Sequence, residues 1–309
     1  MEAHIREARA RFDPHYVEGG VWDLQSRLRV LREALDSVDA SNRELFRYFP
    51  IASIALLESY VKAVISSIID HDSVYLERGL ALIADRSLKA VEAISVIQSG
   101  TATPGQLVAH VLPFSSLAHL ESSFDKLLAQ SVKELLKVAL DAYDVRLGRS
   151  DPRIVVSDVP GLWRKLDATF RHRHIIAHEA APSYDVTAGD ARDALDAAET
   201  FMSGIDAILW TTVWHGIPLT QRELNDEAHK EMVICRSELA SVIKRLRRLG
   251  RMDALRHRFW RIYFLEYMRR TAVDMMGSIA PLIYATTAIS ILRHRISELE
   301  PLLQEGAIA

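Results

Sequence analysis

Residues 21–38 read Val-Trp-Asp-Leu-Gln-Ser-Arg-Leu-Arg-Val-Leu-Arg-Glu-Ala-Leu-Asp-Ser-Val. Leu24, Leu28, Leu31, Leu35 and Val38 step by four, three, four and three, which is one stripe of an amphipathic helix. Working outward, Ile54, Leu57, Val61, Val64 and Ile68 repeat the stripe. Pro50 sits just ahead of that second helix, where its missing N–H costs little. A third periodic segment spans residues 73–97 and stops at Ser-Gly-Thr-Ala-Thr-Pro-Gly, residues 99–105, a loop signal. Helical segments follow over 114–128 and 132–143. Residues 148–160 form the next break and hold the strand-like run Ile154-Val155-Val156, too short to argue for a sheet. Ser157 or Asp158 then caps a helix running through Trp163, Leu166 and Phe170 to His178, ended by Ala-Ala-Pro-Ser-Tyr-Asp at 180–185. The next helix sets Leu195, Ala198, Phe201, Met202, Ile205, Ile208 and Leu209 on one face. His215-Gly216-Ile217-Pro218 marks a domain boundary, and Thr220-Gln-Arg-Glu223 has the form of a capping box that opens a new helix. The expected fold class is all-α: a long-helix bundle over residues 1–213, then a smaller helical domain over 214–309.

Half the chain is hydrophobic and a quarter is charged, the balance of an ordinary globular protein. The net charge of −3 gives no global field toward nucleic acid or membrane. Its distribution is uneven. From Trp214 onward 15 Lys and Arg stand against 11 Asp and Glu, whereas the preceding residues carry 23 against 30. The C-terminal third is therefore where an anionic partner is to be sought. The single cysteine, Cys235, excludes a disulfide framework and a cysteine-rich zinc site. The charged start, Met-Glu-Ala-His-Ile-Arg-Glu, lacks the apolar core of a signal peptide. The greasy stretch 279–292 is too short to span a bilayer. A cytoplasmic protein with no membrane partner is expected.

Chemistry concentrates at residues 170–179, Phe-Arg-His-Arg-His-Ile-Ile-Ala-His-Glu. On a helix Arg173, His174 and His178 fall within an arc of about 140°, with Ile175 and Ile176 expected to turn toward the core. Histidine exchanges protons near neutral pH, and the arginine fork matches phosphate geometry. Together they can deprotonate a ribose 2′-hydroxyl and stabilise charge on a pentacovalent phosphorus without a metal or other cofactor. Two other readings stand beside this one. The residues can be an ordinary solvated helix face, or His174 and His178, at i, i+4, can be half of a metal site. In the metal reading His172 points about 160° away from His174.

The order Arg173, a polar residue, three residues, His178 resembles the signature of HEPN domains, helical bundles that often act as metal-independent ribonucleases. Ala55-Leu56-Leu57-Glu58-Ser59-Tyr60-Val61 resembles the early helix of several HEPN branches, where an acidic residue sits in an apolar stripe. The helix over 191–209 resembles the family's terminal helix. The resemblance covers residues 20–212. It implies a homodimer in which two motifs form one cleft, with Arg173 and His178 catalytic, His174 orienting or assisting, and Glu58 supporting. RNA would be the substrate. Such proteins are often toxins or antiviral effectors, so an antitoxin or other regulatory protein is a further implied partner.

Residues 219–303 resemble LprI-type domains through Thr220-Gln-Arg-Glu-Leu-Asn225, Ser237-Glu-Leu239, Trp260, Gly277-Ser-Ile-Ala-Pro281 and Arg293-His-Arg295-Ile-Ser-Glu-Leu299. Some members inhibit lysozyme. The family's cysteine positions correspond here to Glu227, Met268 and Thr286, and its Arg-Asp pair to Phe264-Leu265. Both departures speak against lysozyme inhibition and for a cytosolic helical module. Within this segment Lys244, Arg245, Arg247, Arg248 and Arg251, followed by Arg256, Arg258 and Arg261, form a basic run that can hold a nucleic-acid backbone or simply be a solvated face. Phe259, Trp260, Tyr263, Phe264 and Tyr267 can stack on bases, but their helical spacing predicts core. The leading expectation is an endoribonuclease. The alternative is a non-catalytic scaffold or sensor binding RNA or a protein.

Overall fold

The computed structural model describes residues 21–84, 95, 97–179, 183–274 and 277–304. Among these the chain is helical, with one isolated antiparallel bridge between Leu140 and Ile154 and no strand. It divides into two compact units, residues up to 145 with 150–215, and 146–149 with residues from 216 onward.

The first unit is built on α1 (Val21–Ser37), the short α2 (Arg43–Phe46), α3 (Tyr48–His71), α4 (Ser73–Leu82), α5 (Pro104–Val111), α6 (Leu117–Leu128), α7 (Val132–Lys137), α8 (Ala142–Arg146), α9 (Val159–His178) and α10 (Ala188–Thr211). The leucine stripe of α1 is buried at Leu24, Leu28, Leu31 and Leu35. Arg32 on its outer side reaches Asp196 of α10 at 2.6 Å. The central element is α3, which packs against α1, α4, α5, α9 and α10. Its expected stripe is buried, and so are Ser53, Leu56, Tyr60, Ala63, Ile65, Ser66 and Ile69. It begins two residues before Pro50, which occupies the first turn, where helix N–H groups have no intrahelical partner to lose. The Tyr60 hydroxyl lies 3.0 Å from the Met202 carbonyl and against the Asp206 carboxylate, so its polar end is satisfied inside the core. The segment Arg43–His71 is also long and apolar enough to cross a membrane, and 61% of its most apolar window is buried inside the protein.

Two backbone approaches tighten this unit. A Cβ on Gly204 of α10 would stand 2.4 Å from Leu136 and 2.8 Å from Val156. At Gly105 one would stand 2.2 Å from the Ser66 carbonyl, and the Gly105 N–H donates to Asp70 at 2.8 Å. Of the expected helices, the segment 73–97 is described from Ser73 to Leu82, and most of its later part lies outside the described residues. The segment 132–143 is two helices rather than one. The Asp141 N–H donates to the Arg153 carbonyl at 2.8 Å and the Val155 N–H to the Ala139 carbonyl at 2.9 Å. Backbone groups there bond across the chain instead of along a helix.

The second unit holds α11 (Gln221–Arg248), α12 (Ala254–Asp274), α13 (Ala280–Leu299) and α14 (Pro301–Gln304). The capping box opening α11 is present: the Thr220 side chain accepts from the Glu223 N–H at 3.2 Å, and the Glu223 carboxylate accepts from the Thr220 N–H at 2.9 Å. Burial pushes the Glu223 carboxyl up, but the N–H groups of Thr220 and Leu219 and the Arg146 guanidinium outweigh it and hold it at about 2. The core joins Met232, Cys235, Leu239 and Leu246 of α11, Phe264 and Met268 of α12, and Ala288, Ile289 and Leu292 of α13. Arg295 is buried in it, paired with Glu298 at 2.7 Å and lying over the Trp260 ring at 5.5 Å. The Arg295 and Trp260 positions of the LprI resemblance are thus structural contacts of this unit.

Candidate functional site

Asp158 caps α9, accepting from the Gly161 N–H at 2.8 Å. From there Val159, Leu162, Leu166, Thr169 and Phe170 are buried. Beyond Phe170 burial stops. Arg171, His174, Ala177 and His178 are exposed, while His172, Arg173, Ile175 and Ile176 are half-buried. The two isoleucines were expected in the core. They are only partly covered, because the last two turns of α9 run past the layer that buries its first half.

His172 is held in place. Its Nδ1 lies 2.7 Å from the Tyr184 hydroxyl and its Nε2 lies 3.9 Å from Asp190, the residue that closes the capping box of α10. The Arg47 guanidinium donates to the Tyr184 carbonyl. This anchoring orients the end of α9 against the starts of α3 and α10 and leaves His172 occupied.

His174 and His178 stand together, ring centroids 5.1 Å apart and planes at 54°. Among the described residues no three or more His, Cys, Asp or Glu side chains are arranged to hold a metal. Arg173 has Glu58 of α3 in electrostatic range. Burial pushes the Glu58 carboxyl up, and the positive charges of Lys62 and Arg173 pull it partly back. The structure therefore brings His174 and His178 together on the exposed side of α9 and leaves the half-buried Arg173 beside them on the helix, within electrostatic range of Glu58. Lys62 was missed. The available signal was its place four residues after Glu58 on the same helix. Chemically, the surface offers two imidazoles that can exchange protons and one guanidinium that can bind a phosphate.

The weaker sites lie in the second unit. Lys244, Arg245, Arg247 and Arg248 are exposed at the end of α11, around the buried Leu246. Arg251 donates to the Leu302 carbonyl at 3.0 Å and so has a structural partner. The aromatic group divides. Phe264 is buried and Trp260 half-buried, stacked at 5.3 Å. Phe259, Tyr263 and Tyr267 are 70%, 62% and 42% exposed, against the expectation that they are core. Of the positions that correspond to LprI cysteines, Met268 is buried and Glu227 and Thr286 are exposed. Cys235 is a free, buried thiol.

No family model, curated protein or solved structure matches this chain.

Proposed function

We propose that this protein is a metal-independent endoribonuclease of HEPN type that works as a homodimer. The observation that carries the reading is the exposed pair His174 and His178 at the end of α9, with the half-buried Arg173 within an arc of about 140° of them by helical spacing. Half-covered Ile175 and Ile176 beside it suit the approach of a second copy. One neutral imidazole removes the proton from a ribose 2′-hydroxyl. The 2′-oxygen bonds to phosphorus while the bond to the 5′-oxygen breaks. A protonated imidazole from the second copy gives its proton to that leaving oxygen. The products are a 2′,3′-cyclic phosphate and a 5′-hydroxyl. Arg173 of each copy holds the phosphate oxygens and the charge that grows on them. His174 orients or assists, and Glu58 sets the position of Arg173. A protein of this kind acts as a toxin or antiviral effector under the control of an antitoxin or other regulatory partner.

The test is cleavage of a labelled single-stranded RNA in EDTA. Replacing His178 or Arg173 by Ala is expected to lower the rate by about 10²–10⁴ while leaving the melting temperature unchanged, because His178 is exposed and Arg173 only half-buried. A wild type that cleaves no faster than its variants removes the enzymatic reading. If that protein still binds RNA, the scaffold alternative stands in its place.

A further inference from the structure

α12 is fastened to its unit along one edge. His257, Trp260, Phe264 and Met268 recur at intervals of three and four and hold that edge against the core. The opposite side carries Leu255, Phe259, Ile262 and Tyr263, which keep 68%, 70%, 55% and 62% of their surface in water. Counting 100° per residue, these four fall within an arc of about 100°. Among the described side chains they share it only with Glu266 and Arg270. Arg256 and Tyr267 flank one edge of the arc and Arg269 the other, whereas Arg258 and Arg261 lie outside it. With Tyr267, the four apolar residues leave on the order of 600 Å² of surface in water on one side of one helix. A standard interface takes about 800 Å² from each partner, and the patch with its charged rim reaches that size. An apolar patch of this extent marks contact with another macromolecule.

The charges on the arc select which one. Glu266 stands in the middle of it, paired with Arg269 and Arg270 at 3.0 Å each. A nucleic-acid strand, an anionic bilayer or an acidic peptide laid on this face would press like charge against Glu266. A second copy of α12 does not, provided that it runs the other way. A parallel pair would oppose each Arg256, Glu266 and Arg270 to its own twin. An antiparallel pair crossing at the level of residue 261 sets Phe259 against the partner's Tyr263 and Leu255 against the partner's Tyr267. Ile262 then lies beside the partner's Ile262 at the two-fold axis. The same register puts Arg256 opposite the partner's Glu266. It also brings Asp253, which caps α12 by accepting from the Arg256 N–H at 2.9 Å, level with the partner's Arg269. Apolar meets apolar, and Asp253 and Glu266 each meet an arginine.

We infer that the outer face of α12 is a self-association surface, on which two copies of the chain pair antiparallel through Leu255, Phe259, Ile262 and Tyr263. The surface stands on this helix alone. It is a hold on a second copy separate from the meeting at α9 that the proposed function calls for.

The test is sedimentation equilibrium of the full chain across the micromolar range. Each of Phe259→Glu and Ile262→Glu is expected to weaken dimerisation by at least about 100-fold, because each buries an unpaired charge at the centre of the contact. Arg256→Glu is expected to weaken it by about 10-fold, and by less at high salt, because the new carboxylate meets the partner's Glu266. Val138→Glu, an equally exposed apolar position in the first unit, is expected to leave it unchanged. Circular dichroism melting of each variant checks the fold; the exposure of these side chains predicts that it is kept. Three results would each overturn the inference: a wild type that stays monomeric throughout the range, dimerisation unmoved by Phe259→Glu and Ile262→Glu, or a tighter dimer in Arg256→Glu. A monomer whose Phe259→Glu variant loses binding to oligouridylate, to phosphatidylserine vesicles or to polyglutamate would overturn it in favour of that occupant. Absence of RNA cleavage by a wild-type dimer that the α12 variants dissociate would remove the proposed chemistry and leave this surface standing.

Discussion

Two long helices, α3 and α12, begin from similar sequence material and end in different surroundings. Both place large apolar side chains at intervals of three and four. In α3 neighbouring helices cover almost every side, and Leu57, Tyr60 and Val61 are wholly buried. In α12 one narrow edge holds His257, Trp260, Phe264 and Met268 against the core, while Leu255, Phe259, Ile262 and Tyr263 lie in solvent. The spacing of apolar residues declares a helix and its faces. How many of those faces find a partner depends on elements far away in the chain. A helix covered on all sides is a stability element. A helix covered on one side has a surface free for recognition.

The sharpest way to break this comparison is to truncate one apolar side chain on each helix. Leu57→Ala on α3 is expected to cost about 2–5 kcal/mol in urea unfolding, since packed neighbours relax only partly into the space left by a wholly buried side chain. Phe259→Ala on α12, read at a dilution where the chain is monomeric, should change stability by less than about 0.5 kcal/mol. Equal losses would mean that the outer face of α12 is covered within the single chain.

A smaller effect separates the inner edge of α12 from its outer face. His257 is buried with its Nδ1 unpaired. Burial first, then the charges of Arg295, Arg247 and Arg261, lower its pKa below the ordinary value. Above about pH 6.5 the ring is neutral folded or unfolded, and it contributes no pH dependence. As the pH falls below that value, the unfolded chain takes up a proton that the folded one resists, so stability is lost on acidification. His257→Leu should flatten the slope of melting temperature between pH 7 and 5. An unchanged slope would assign it to other groups.

The smallest expected effect lies on α3. Burial raises the Glu58 carboxyl against the pull of Lys62 and Arg173. A carboxyl with a raised folded pKa takes up its proton more readily folded than unfolded, so it adds stability as the pH falls toward that pKa and withholds it at neutral pH. Glu58→Gln should therefore raise stability at pH 7, by no more than about 0.5 kcal/mol, while cleavage falls if Arg173 relies on Glu58 for its position. A destabilised variant would show that attraction to Lys62 and Arg173 exceeds the cost of burial.

Local signals were legible wherever a short stretch carries its own physics. Asp158 and the Thr220–Glu223 box start helices because a side-chain oxygen meets a free N–H within three residues. The Thr103–Gln106 and Thr187–Asp190 boxes were equally written in the sequence. The first stands among glycine and proline, which signal a loop as strongly as the box signals a helix start. The segment 132–143 has the pattern of one helix but breaks in two, because the break depends on hydrogen bonds to residues 153–155, which no local pattern announces. At the candidate site, Arg173, His174 and His178 share a face by helical spacing alone. The anchoring of His172 by Tyr184 and the electrostatic range between Glu58 and Arg173 needed the packing of α9 beside α3 and α10.

The sequence by itself determined an all-α protein, most of its helix starts, the position of the Arg-His motif and the basic bias of its C-terminal third. Each of these is a property of neighbours within a few residues. Tertiary structure decided which apolar faces are buried. It covered most of α3, left Ile175 and Ile176 half-covered at the end of α9, and exposed the rings of Phe259, Tyr263 and Tyr267. Burial is a property of distant segments meeting, and a hydrophobic side chain carries the same local pattern whether or not anything arrives to cover it.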